Sequence, residues 1–169
     1  MLAIFAAALA ASTSSPVLES SLPWWERITV TVDDQGKQRA CQYEVSLSPA
    51  AAKACDQRMA ASVAEGSQSR SGLYSKVTFE RRFSPGSQLD SGRLQPGDQL
   101  LGRQVMFLTI DAEGSIQSCD VVATSGEMAF QYDCAEARKE QFRVPTSAGP
   151  GARQAFMTVL AYGHTEHIA

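Results

Sequence analysis

The chain has 169 residues, 44% of them hydrophobic and 20% charged, and a formal net charge of -3. That apolar content excludes disorder throughout, and the mild acidity leaves no concentrated basic face of the kind nucleic acid requires. The length admits one compact domain or two small ones.

Residues 1–20 open with MLAIFAAALAASTSSP, a short apolar run closed by small and hydroxyl residues, with Ala8-Leu9-Ala10 as a cleavage-like triplet. The run falls well below the roughly 20 residues that cross a bilayer as a helix. It therefore reads as a secretory signal rather than a stable membrane span, although it lacks a basic start. Folded structure is expected from Ser21, with Trp24-Trp25 covering the open end of a small core.

Ile28 to Val32 (ITVTV) alternates β-branched residues and ends in Asp33-Asp34-Gln35-Gly36, a turn composition. A second strand follows with Cys41, Tyr43, Val45 and Leu47 on one face. Ser48-Pro49 reads as the N-cap and first residue of a helix carrying Ala52, Cys55, Met59 and Val63 at spacings of three and four. Gly66 to Gly72 is the expected loop before a closing strand, Lys76 to Phe83. Arg81-Arg82, like Arg138-Lys139 further on, is assigned to solvent. Ser84 to Gly102, rich in Gly, Pro, Ser and Asp, is the expected linker, with Leu89, Leu94, Leu100 and Leu101 as points where it packs.

The pattern then repeats. Val105 to Ile110 is a β-branched and apolar run, Asp111-Ala112-Glu113-Gly114 a turn, and Ser115 to about Ala123 a second strand. Beyond Thr124-Ser125-Gly126, Phe130, Cys134, Ala137 and Gln141-Phe142 fall on one helical stripe. A closing strand covers about Ala155 to Tyr162. A shift of 78 positions (109 − 31) lays Thr31 on Thr109, Asp33 on Asp111, Gly36 on Gly114 and Cys41 on Cys119; Cys55 reaches Cys134 after one insertion. The expected fold is α+β: two related ββαβ units at 21–83 and 103–169, each packing a helix on a small antiparallel sheet.

Each unit places one cysteine in its second strand and one in its helix. Matched positions behind a signal-like segment argue for disulfides Cys41–Cys55 and Cys119–Cys134. The alternatives are a four-thiol metal site, which lacks the usual two-residue knuckle spacing, and four reduced, buried cysteines. No metal, cofactor or catalytic constellation is expected. His164 and His167 flank Glu166 without the HExxH spacing, on a tail expected to fray; no serine sits in a nucleophile elbow.

The second half, about Leu100 to Tyr162, resembles the C-terminal domain of the TonB family. The resemblance is carried by the strand Val105 to Ile110, the Asp111 to Gly114 turn, Thr124-Ser125-Gly126, Gln141-Phe142-Arg143-Val144-Pro145, Gly149 to Gly151 and the final strand. Phe130-Gln131 stands where the family has Leu-Asp, and no Pro-rich spacer is present. The resemblance implies a non-enzymatic periplasmic module associated with outer-membrane transport, whose partner is an extended protein segment, such as part of an outer-membrane receptor, paired to an exposed strand. The expected edge is Arg153, Gln154, Ala155, Phe156, Met157, Thr158, Val159 and Leu160. If that strand pairs internally with Lys76 to Phe83, the alternative is a secreted, disulfide-stapled structural or inhibitor-like scaffold that binds through loops.

Overall fold

The computed structural model describes residues 17–35, 37–47, 53–55, 74–90 and 92–164. It contains nine strands and one short α-helix among these residues: β1 (Val17–Glu19), β2 (Trp24–Val32), β3 (Gln38–Val45), β4 (Lys53–Ala54), β5 (Lys76–Pro85), β6 (Asp98–Ile110), β7 (Ile116–Gly126), α1 (Cys134–Ala137), β8 (Gln141–Arg143) and β9 (Arg153–His164). Seven strands form one antiparallel sheet in the order β4-β3-β2-β5-β9-β6-β7, and β1 pairs with β8 in a separate parallel pair.

This is a sheet-rich fold, which corrects the α+β expectation of a helix packed on each unit. In the second half, the expected helical stripe is one helical turn. Asp133 is the reason it starts late: its carboxylate accepts from the amides of Ala135 and Glu136, fixing the N-cap there. Before it, Met128, Phe130 and Tyr132 follow a period of two and pack against the core. After it, the amides of Lys139 and Glu140 bond three residues back to Glu136 and Ala137, closing the helix in a tight turn. The chain then enters β8, where Phe142 is 2% exposed and contacts Phe83. Burying such a ring contributes about 1.5–3 kcal/mol, more than one further helical turn would supply. In the first half, Lys53–Ala54 is a strand where the helix was expected; Ala52, Met59, Val63 and the loop Gly66 to Gly72 lie outside the described residues.

The two hairpins share one register beside their turns. Val30 opposes Cys41, Thr31 opposes Ala40, and a bulge then brings Val32 opposite Gln38. Moved by 78, each pair recurs: Leu108 with Cys119, Thr109 with Ser118, and Ile110 with Ile116 after a bulge. Both hairpins are built on one aspartate. Asp33 Oδ1 accepts from the amides of Gln35 and Lys37, and Asp111 Oδ1 from those of Glu113 and Ser115. The third strands obey the same shift, since Trp24 opposes Phe83 and Gly102 opposes Ala161.

The halves meet where β5 pairs with β9 from Lys76–His164 to Pro85–Ala155. Arg81 opposes Val159, and these are equivalent positions under the 78-residue shift (159 − 81), so an approximate two-fold axis passes through that pair. The units are thus two halves of one continuous sheet. The expected linker contracts to 86–97, because Ser84-Pro85 extends β5 and Asp98 to Gly102 begins β6. Folded structure also extends back into the signal-like segment. Leu18 packs on the core, the Ser20 hydroxyl donates to the Arg143 carbonyl, and Trp24 Nε1 donates to the Glu19 carbonyl at 2.8 Å. Residues 1–16 lie outside the described residues.

One face of the sheet carries Trp24, Phe83, Met106, Leu108, Ile110, Ala155 and Met157, covered by Ala137 and Phe142. Trp24 stacks on Phe83 with centroids 5.6 Å apart and closes the core, whereas Trp25, the other half of the expected pair, lies under the Arg27 guanidinium, 4.1 Å from its ring centroid. Gly163 shows how tight the β5–β9 seam is: a Cβ there would come within 2.5 Å of the Tyr74 ring.

Candidate functional site

The final strand is not an edge. β9 pairs with β6 from Arg153 to His164 and with β5 from Ala155 to His164, and the Gly86 amide donates to the Gln154 carbonyl at 2.8 Å, so Arg153, Gln154, Ala155, Phe156, Met157, Thr158, Val159 and Leu160 offer no free backbone row to a partner. Met157 to Ala161 is continuously buried. The residues explain this placement: AFMTVLA has no charge and no polar face, and such a run suits a strand covered on both sides. An edge strand would need the charges or kinks that keep it from unwanted pairing.

The free backbone lies elsewhere. β3 is covered by β4, with Gln42 opposite Ala54 and Tyr43 opposite Lys53. The opposite margin of the sheet is β7, which pairs only with β6 among the described strands. Its first residues are shielded. Cys119 is disulfide-bonded to Cys134 at the start of α1, and the Arg138 guanidinium donates to the Cys119 carbonyl at 3.4 Å. From Asp120 to Gly126 every residue is exposed. Val121 is 47% and Val122 53% exposed, an unusual cost for adjacent aliphatic side chains on a strand margin. A bulge at Val105/Met106 inserts an extra residue of β7 in this stretch, bending the margin.

Both disulfides join the expected cysteines, Cys41 with Cys55 and Cys119 with Cys134. They hold equivalent strands, β3 and β7, to whatever lies beside them. On the loop-entropy argument each closure, spanning 14 and 15 positions, stabilises by about 3 kcal/mol.

Two polar networks lie inside the sheet, which corrects the expectation that Arg81 and Arg82 face solvent. On the core face Arg81 is 15% exposed and pairs with Glu26 at 2.6 Å and with Glu140. Its guanidinium lies over the rings of Trp24 and Tyr132, 5.3 and 4.9 Å from their centroids. Burial works against its charge, but Glu26, Tyr132 and Glu140 outweigh that and hold its pKa above the ordinary value. On the other face Glu80, with a 3% exposed side chain, pairs with Arg82 and with Arg27 at 3.3 Å, and accepts from Tyr162 Oη at 3.1 Å. The signal available in the sequence was a strand, VTFERRF, too apolar around its charges to lie at a surface.

In the first network one guanidinium serves two carboxylates, and in the second one carboxylate serves two guanidiniums. Burial, with the Glu26 carboxylate beside it, pushes the Tyr43 hydroxyl up to about 12, and burial with Glu80 does the same for Tyr162. Both stay protonated and donate. His164 is held in β9, contrary to the expected frayed tail, with Nδ1 3.0 Å from Asp98 Oδ1; Glu166 and His167 lie outside the described residues. Among the described residues there is no group of three potential metal ligands, and no helix is long and apolar enough to cross a membrane. Comparison with family models, curated proteins and solved structures finds no match.

Proposed function

We propose that the chain is a non-enzymatic, exported, TonB-like protein-interaction module, associated with outer-membrane transport, that captures an extended partner segment by strand pairing at the outer margin of β7. The observation that carries this reading is the exposed stretch from Asp120 to Gly126, where unpaired backbone coincides with Val121 and Val122. Backbone pairing supplies affinity and the two valines supply apolar contact for alternate partner residues. Export is supported by both disulfides, which persist in oxidising compartments. The transport association rests on the resemblance of the second half.

A second reading, a disulfide-stapled scaffold that binds through loops, is favoured by one observation: β5 and β9 satisfy each other's margins. The two readings separate in an amide NMR titration with peptides from the periplasmic segments of outer-membrane receptors. The strand-pairing reading expects shifts and slowed amide exchange confined to β7. Shifts confined to 86–97 would favour the scaffold.

A further inference from the structure

The first half contains an added strand at the position that, among the described residues, stands open in the second. β4 pairs antiparallel on the outer margin of β3, with Ala54 opposite Gln42 and Lys53 opposite Tyr43, and the Cys55 amide donates to the Cys41 carbonyl at 3.4 Å. Under the 78-residue shift, which relates the two hairpins from their turns as far as the Val105/Met106 bulge, Cys41, Gln42 and Tyr43 become Cys119, Asp120 and Val121. The Cys119 carbonyl is the outward acceptor here too, filled by Arg138 instead of a backbone amide. Backbone groups alternate in direction along a strand, so Val121 presents its N–H and C=O outward, with no hydrogen-bond partner among the described residues.

Resting on the strand-pairing reading above, we infer that β7 receives its partner antiparallel, in the register that β4 uses on β3, and that the partner is a short basic, aliphatic segment. Orientation and register come from β4. The chemistry comes from β7: Asp120 is an exposed carboxylate that favours a Lys or Arg directly opposite, and Val121 favours an aliphatic neighbour. Arg138 on the Cys119 carbonyl and the bulge beyond Val121 bracket the segment, which makes this a site for a few residues rather than a long strand.

The test uses the full oxidised chain and a capped peptide of alternating valine and lysine, with its valine–glutamate counterpart as control. The lysine peptide is expected to slow exchange of the Val121 amide and to bind more tightly than the glutamate peptide by about two- to fivefold, with Asp120→Lys reversing the preference. A spin label on the peptide's N-terminus should broaden Ser125 and Gly126, and one on its C-terminus Ser118. Val121→Pro, which removes an outward donor without removing a β6–β7 hydrogen bond, should abolish the effects while the β6–β7 amides stay protected. Binding at β7 in parallel orientation, or without dependence on the sign at position 120, overturns the inference and leaves the strand-pairing reading standing. No response of β7 to either peptide overturns both. Protection of Val121 that grows with protein concentration in the absence of peptide assigns the margin to a second copy of the chain and likewise overturns the inference.

Discussion

Replacing Arg81 by methionine isolates the energetics at the centre of the sheet. The guanidinium is the shared partner of Glu26 and Glu140, and Glu140 Oε2 is buried with no other hydrogen bond. Methionine fills much of the volume but leaves two carboxylates facing an apolar side chain. Removing one member of a buried pair costs about 3–5 kcal/mol. The carboxylates here are 25% and 21% exposed, and Glu26 still accepts from Tyr43 Oη at 2.9 Å. Partial solvation lowers the expected loss to about 2–3 kcal/mol. Neutralising both acids alongside it (Arg81→Met, Glu26→Gln, Glu140→Gln) should recover at least half, because no charge is then stranded. Urea unfolding with the disulfides intact measures both variants. A single variant within about 0.5 kcal/mol of the parent, or a triple variant no better than the single, would refute the assignment of Arg81 as a buried hub.

Three further outcomes follow from the geometry. Gly163→Ala drives a methyl into the Tyr74 ring and should cost about 1–3 kcal/mol, a loss that the double variant with Tyr74→Ala does not compound; thermal unfolding reads it. Replacing Cys41 and Cys55 together, or Cys119 and Cys134 together, by alanine should lower stability by about 2–4 kcal/mol each, with the second pair also loosening α1 in amide exchange because it anchors that turn to β7. The raised tyrosines predict alkaline weakening. The unfolded chain ionises from about pH 10 while folded Tyr43 and Tyr162 hold their protons to about 12, so stability is intact below pH 10 and falls as pH rises through that window. A tyrosinate absorbance titration should show delayed ionisation that Tyr43→Phe and Tyr162→Phe remove in part.

Local geometry was legible wherever one residue type determines it. Asp33 and Asp111 marked both hairpins because an aspartate at a turn bonds its own following amides. Matched cysteines marked the bridges, and a constant shift marked the repeat. Contacts between distant segments were less legible. A helical stripe through Phe130, Cys134 and Ala137 is real as a spacing, but Asp133 starts the helix late and Phe142 is worth more inside the core than on a longer helix. The last strand was misplaced by analogy when its own uncharged run already argued for a central position. Arg81 was misplaced by a rule about average arginines, which fails when two acids from separate segments converge on one guanidinium. The margin at β7 follows from strand order, a long-range property, which leaves β6 as the neighbour of β7 among the described residues.

The axis between β5 and β9 carries a further consequence. Were two identical chains joined across it, whatever side chain lay on the axis would confront its own twin, and an arginine there would repel itself. Joining the copies in tandem lifts that restriction: Arg81 faces Val159, so one half can carry an ionic centre while the other stays greasy. A difference between the halves, one margin sealed by its own short strand and the other left bare among the described residues, is the same freedom expressed at the rim.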